Sequence, residues 1–262
     1  MFRWCSYCQK FLGEKEPYDS YEISHGICKK CVENKAMLDQ EKLEKSAKIQ
    51  TLFKLISESI LRKDFQFIRT QLPLFRVLKV SNADIFFGLY QPLLCEAGKL
   101  WEIRRLTVAE EHELSTTIDE LVSLSFSQIP NIEKFRQSKT PAVLLTALSN
   151  NQHILGLRLI EHWLCDKGVK NKVIVPGLPA NEIISLVKEF HPAVMGLSIN
   201  AFTPELNSFL SELAREADGS KIIIGGKFTY TITQNDIPAE VSICRNISEL
   251  STLLIQKSII TD

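Results

Sequence analysis

No apolar run in this 262-residue chain approaches the ~18 residues that a membrane-spanning helix needs. Membrane insertion is therefore not expected. Neither sign of charge is in excess, since Lys+Arg and Asp+Glu number 31 each. That balance removes any global positive field drawing the chain toward phosphate backbones, and leaves only a local basic patch open. The opening residues MFRWCSYCQKF lack the apolar core and small-residue cleavage site of a secretory signal, so a cytoplasmic location is expected. Internal repeats and low-complexity tracts are absent. What is present is the composition of an ordinary globular protein, 45% apolar and 24% charged. The length allows about two domains on a soft prior of ~150 residues each.

Seven cysteines in a reducing compartment argue against a disulfide framework. Four of them form two CxxC pairs, Cys5-Ser-Tyr-Cys8 and Cys28-Lys-Lys-Cys31, with 19 residues between them. Thiolates at this spacing suit the two sides of a tetrahedral zinc ion. A module of some 30 residues buries too little core to fold unaided, which favours a metal staple over redox or coincidental cysteine pairs. His25 would be a ligand only if a cysteine were excluded. Cys95, Cys165 and Cys244 lie in apolar surroundings and read as core thiols. The ending Ser24-His-Gly-Ile-Cys-Lys-Lys-Cys31 resembles a cysteine module of bacterial signalling proteins, a likeness confined to about the first 31 residues.

The zinc module spans 1–34, and a charged helical linker follows over 35–48. From 49 to 130 the apolar residues fall at helical spacing in four stripes. These are Leu52, Phe53, Leu55, Ile56 and Ile60; Phe65, Phe67, Ile68, Leu72 and Phe75; Ile85, Phe86, Leu89, Leu93 and Leu94; and Leu114, Ile118, Leu121, Val122 and Leu124. This pattern predicts a four-helix bundle. The capping box Thr107-x-x-Glu110 starts its last helix. Past the polar stretch NIEKFRQSKTP the pattern changes, and over 139–262 five strand-like runs (AVLLTAL, VIVP, VMGLSI, KIIIGG, VSIC) alternate with helical ones. Alternation of this kind predicts an α/β fold, a Rossmann-like (flavodoxin-like) five-stranded parallel sheet domain.

His153 stands where the first of these strands has ended and a helix begins, an edge at which open parallel sheets bind ligands. Asn151-x-His153-x-x-Gly156 resembles the Asp-x-His-x-x-Gly motif of cobalamin-binding domains, such as those of methionine synthase, corrinoid methyl carriers and cobalamin photoreceptors. The likeness continues with Ser198, separated from Gly156 by 41 residues, and with the pair Gly225-Gly226 after the fourth strand. It covers about residues 140–260. The resemblance implies that His153 ligates cobalt in place of the cofactor's own benzimidazole. It further implies that Gly156, Ser198, Thr203, Gly225 and Gly226 accommodate the nucleotide tail. One position departs from the family. Asn151 replaces an aspartate that holds the histidine's second ring nitrogen. An amide oxygen can accept that bond without charge, so a weaker His–Co bond is expected.

In the helical region, Trp101, nine intervening residues and then Glu111-His112 resemble the Trp-x9-Glu-His motif of cobalamin photoreceptor regulators, in which a helical cap covers adenosylcobalamin. A turn is expected to bring Trp101 toward Glu111 and His112. The resemblance favours a sensor, not itself an enzyme, that binds adenosylcobalamin over methylcobalamin and reads light for a signalling protein partner, with homo-oligomers a further expectation. Two features depart from that family. Glu102 stands where DNA-binding photoreceptors carry a second cobalt-ligating histidine, leaving His112 as the nearest candidate. The zinc module replaces the winged helix, so direct DNA binding is not supported. The alternatives are a corrinoid methyl carrier serving methyltransferases and an interaction protein that no longer holds the cofactor.

Overall fold

The fold is described by a computed structural model covering residues 1–5, 11–17, 23–33, 51, 53–74, 81–149, 151, 153–199, 201 and 203–261. Two compact units result, Met1–Leu124 and Ser125–Asp262. The linker expected over 35–48, together with Cys8, Leu52 and Phe75, lies outside the described residues, as does the ring of His25.

The first unit opens with a small sheet that the sequence pattern does not announce. Strand β1 (Phe2–Cys5) runs antiparallel to β2 (Phe11–Glu14) and parallel to β3 (Ile23–Gly26). A short helix α1 (Lys29–Glu33) follows. The helical part comprises α2 (53–62), α3 (Phe65–Gln71), α4 (Asn82–Ile85), a π-helical segment Phe86–Tyr90 that leads straight into α5 (Gln91–Glu102), and α6 (Val108–Phe126). Local chemistry sets the helix ends. Asp64 accepts from the Phe67 amide to start α3, and Ser81 accepts from Asp84 to start α4. The Thr107 hydroxyl accepts from the Glu110 amide at 3.2 Å while the Glu110 carboxylate accepts from the Thr107 amide at 2.8 Å, so the expected capping box is formed. That backbone bond, with Lys63 at 2.9 Å, holds the Glu110 carboxyl below its ordinary range.

Ile56, Ile60, Phe65, Ile68, Leu72, Phe86, Leu89, Leu93, Leu114, Ile118 and Val122 are buried, as their stripes require. Two members of the stripes, Leu55 and Leu124, are exposed instead. Cys95 is also exposed, contrary to its reading as a core thiol. The face of α5 that turns inward carries Leu93, Ala97 and Leu100, and a residue two places from Leu93 lies about 160° away on the opposite side.

In the second unit the five expected strands form one parallel sheet: β4 (Val143–Leu148), β5 (Asn171–Leu178), β6 (Val194–Ser198), β7 (Lys221–Gly225) and β8 (Val241–Ile243). Their spatial order is β5-β4-β6-β7-β8. Four helices connect or follow them: α7 (Leu155–Asp166), α8 (Ala180–Phe190), α9 (Leu206–Glu216) and α10 (Ile247–Gln256). Ile183 and Val187 of α8 and Leu206, Leu210 and Leu213 of α9 share one core with Leu144, Met195, Leu197, Ile222 and Ile224. Leu145 and Ile223 point the other way by strand alternation and are buried as well, so the opposite face is also covered. The crossover through α7 travels in the opposite direction to those through α8 and α9, and right-handed connections therefore put α7 on that second face. Chain order and strand order together make this the doubly wound, flavodoxin-like topology, with its switch point between β4 and β6.

The start of this unit is pinned to α7. Glu161, only 2% exposed, accepts from the Arg136 guanidinium at 2.9 and 3.4 Å and from the Gln137 amide at 3.3 Å. Arg136 also lies 4.4 Å over the Phe126 ring, which in turn packs at a tilt against buried His162. Residues 126–137 thus belong with the sheet unit. Removing one partner of such a pair strands a buried charge. Arg136→Ala is expected to lower the stability of this unit by ~3 kcal/mol in urea denaturation, with Arg136→Lys recovering part of the loss. A loss no larger than the ~0.5 kcal/mol of a surface substitution would contradict the pin.

Candidate functional site

The loop after β4 and the end of β6 flank the switch point, where the chain leaves the sheet in opposite directions and where open parallel sheets bind ligands. The last turn of β4 is set by the Asn151 amide, which donates to the Leu148 carbonyl at 2.8 Å. Asn151 is 3% exposed. Its side-chain amide donates to the Ser198 carbonyl at 3.1 Å and to the Ser198 hydroxyl at 3.0 Å, while its oxygen accepts from the His153 backbone N–H at 2.9 Å. The oxygen thus engages the His153 main-chain N–H, where the sequence-based expectation was a bond to the His153 ring. A short side chain two residues upstream reaches the nearer main-chain N–H in an Asx-type turn, and the sequence motif does not distinguish that N–H from the ring nitrogen. His153 itself is exposed, immediately before α7, and Gly156 follows within the first turn.

Gly156 has open space where a β-carbon would stand, so none of the described residues demands glycine there. That gap is what a ligand passing close to the backbone would require. Ser198 is paired in register with Ala147 on one side and Gly225 on the other. At Gly225 a β-carbon would lie 3.0 Å from the Cys244 carbonyl. Gly226 adopts φ 102°, ψ 176°, which only glycine adopts without strain. The Ile199 amide donates to the Gly225 carbonyl at 2.7 Å, and the Phe228 amide to the Ile199 carbonyl at 3.2 Å, lacing the loops after β6 and β7 together. Thr203 is half-buried ahead of α9, where its carbonyl accepts from the Leu206 amide at 3.0 Å.

Burial, reinforced by the Glu249 carboxylate, pushes the Cys244 thiol up to about 12. It is a neutral thiol at physiological pH, so no thiolate nucleophile lies beside the glycine pair. Arg245 went unnoticed in the sequence. Its guanidinium donates to the carbonyls of Thr229 at 3.1 Å and Ile232 at 2.9 Å and so braces the loop beyond Gly226. A lone arginine after a strand carries no signal for that role. A depression of about 390 Å³ beside α9, lined by Asn207, Phe228, Thr231, Ile232, Asp236 and Ile237, contains none of the anticipated residues.

In the helical unit, Trp101 lies in the last turn of α5, 42% exposed. Glu111, in the first turn of α6, accepts from the Ser115 hydroxyl at 2.6 Å and lies 3.9 Å from His112, whose ring is largely exposed. Among the described residues no hydrogen bond joins Trp101 to Glu111 or His112. At the N-terminal module, the sulfurs of Cys5, Cys28 and Cys31 lie within 4.8 Å of one another.

No protein-family model matches the chain, and neither does any curated protein sequence. Solved structures do. The monomethylamine corrinoid protein of Methanosarcina barkeri superposes with a TM-score of 0.61 at 12% identity, over 79% of this chain and 99% of that one. A cobalamin-binding protein from Desulfitobacterium hafniense gives 0.35 at 14% identity, over 80% and 98% of the two chains. The methanol:cobalamin methyltransferase complex of Methanosarcina barkeri gives 0.37 at 13% identity, over 89% of each. The first likeness establishes the fold; the other two superpose too poorly to add to it.

The Asn151 bridge has a measurable worth. Asn151→Ala removes the donors to both Ser198 oxygens and is expected to cost ~2 kcal/mol in chemical denaturation. Asn151→Asp is expected to cost less, because the Ser198 hydroxyl can turn to donate to a carboxylate while its carbonyl cannot. Equal losses for the two variants would contradict this assignment of the amide.

Proposed function

We propose that this chain is a corrinoid-binding protein that holds cobalamin through His153 and presents it to a partner protein, most simply as a methyl carrier serving a methyltransferase. The observation that carries the reading is the exposed His153 imidazole, anchored by Asn151 and Ser198 at the switch point of a doubly wound sheet. A neutral imidazole is a good ligand for a transition-metal ion. When bound, the cofactor supplies a cobalt–carbon bond from which an alkyl group can be passed on.

The protein's own residues have simpler tasks. His153 offers a ring nitrogen on the open side of the crevice. Asn151 fixes the backbone from which that ring projects. Gly156 leaves a gap beside α7, and the Gly225-Gly226 turn brings bare backbone to the same sheet edge, which suits a tail laid along it. Among the described residues no carboxylate pairs with the His153 ring, and the neutral Asn151 adds no charge to the site. Ligation is therefore expected to be weaker than in a site with aspartate, by roughly the 10–100-fold that supporting hydrogen bonds are worth. The support for a carrier over a sensor is the superposition on a corrinoid protein named for monomethylamine, over nearly that protein's whole length.

A second reading, an adenosylcobalamin sensor, draws on one feature of this chain, the exposed Trp101 at the Trp-x9-Glu111-His112 spacing. The partial engagement of Glu111 with Ser115 weighs against an open adenosyl pocket at that carboxylate. The two readings separate in one experiment. The purified chain is loaded in the dark with methyl- or adenosylcobalamin, desalted, and its visible spectrum recorded before and after green light. The carrier predicts retention of methylcobalamin, and His153→Ala is expected to lose at least ~10-fold in retention. A light-dependent change of oligomer size with adenosylcobalamin would favour the sensor. Elution of both cofactors away from the wild-type chain would contradict corrinoid binding altogether.

A further inference from the structure

We propose that Cys5, Cys28 and Cys31 are ligands of a structural zinc ion, and that the module so stapled is a seated part of the helical unit instead of a tethered adaptor. The site rests on geometry outside the corrinoid crevice and does not depend on that reading. Three sulfurs lie within 4.8 Å of one another. Tetrahedral Zn–S bonds of ~2.3 Å place sulfurs ~3.8 Å apart, so a small contraction completes the set. None of the three is in a disulfide.

The backbone is shaped for the purpose. Parallel pairing of β1 with β3 sets Cys5 opposite Gly26, two residues from Cys28. The Cys28 amide donates to Cys5 Sγ at 3.4 Å, a bond that stabilises negative charge on that sulfur. The Cys28 carbonyl accepts from the amides of Cys31 at 3.0 Å and Val32 at 3.1 Å, folding the second CxxC into a two-toothed bite. Cys8, expected from the first CxxC as a further ligand, lies outside the described residues. A set of thiolate ligands selects zinc over harder cations.

The seat is Trp4, the residue before Cys5. Its indole is 2% exposed and lies against Gly88 in the middle of the π-helical segment, where any β-carbon would overlap the ring. Gln91 adds a hydrogen bond to Glu14 of β2 at 3.3 Å. A π-helical bulge with glycine at its centre gives the indole a flat backbone to lie on. The same insertion accounts for a glycine in a wholly buried stretch of helix.

The test uses the full chain purified without chelator. Metal analysis is expected to give about one zinc per chain, lost in Cys28→Ser, and replacement by cobalt(II) is expected to give intense thiolate-to-metal bands typical of a tetrahedral sulfur site. Should Cys28→Ser fail to fold, the cobalt spectrum of the wild-type chain decides alone. Iron in place of zinc, or a metal-free chain whose cobalt spectrum lacks thiolate bands, overturns the zinc assignment. Gly88→Val separates seat from staple. It should keep the zinc while making the chain between the module and α2 more readily cut by protease. An unchanged cleavage rate with zinc retained overturns the seating.

Discussion

The contact between the Asn151 side chain and Ser198 is the constraint on which the C-terminal site depends. At the switch point of a doubly wound sheet, the loops leaving β4 and β6 diverge, and nothing in the strand ladder holds them in register beyond Ala147 and Ser198. One buried amide spans that gap, giving both its protons to Ser198 and taking the His153 N–H on its oxygen. An imidazole on the free side of the turn is thereby presented to solvent from a fixed backbone. An aspartate could not make the same set, since it has no proton for the Ser198 carbonyl. The asparagine is thus better suited to bracing the crevice than to charging the histidine.

This arrangement favours a defined loop geometry over negative charge beside the histidine. At the sheet edge, Gly225 is demanded by the nearby Cys244 carbonyl and Gly226 by its positive φ, whereas Gly156 has open space where a β-carbon would stand. Away from that edge the unit is conventionally packed, and its entry segment is locked by the Arg136–Glu161 pair. The helical unit has its own organising contact, the indole of Trp4 on the backbone of Gly88.

Much of this was legible in the sequence, for identifiable reasons. The five strands of the sheet are short apolar runs bounded by turns and separated by amphipathic helices, and each appeared where the pattern put it. The fold class followed from that alternation alone. His153 was visible because it sits at a strand end, where the pattern breaks, whereas Ser198 and Gly225-Gly226 were picked out by the resemblance to cobalamin-binding domains. The partner of the Asn151 amide was not visible, because hydrogen bonds between residues 47 apart leave no trace in local spacing. The three-stranded sheet at the N-terminus was hidden because its strands are only four residues each. Cys95 misled for the opposite reason. It lies in an apolar-looking stretch, yet helix geometry turns it outward. The Arg245 brace was equally silent, being a charge whose partners are backbone carbonyls.

The central claim is that the His153 ring nitrogen binds cobalt. It is tested most directly by electron paramagnetic resonance of the chain loaded with a cobalt(II) corrinoid, grown once with ordinary histidine and once with histidine labelled with nitrogen-15. An axial histidine predicts that each superhyperfine triplet becomes a doublet on labelling, and that the effect disappears in His153→Ala. A triplet indifferent to the label, as the cofactor's own benzimidazole nitrogen would give, would contradict the account.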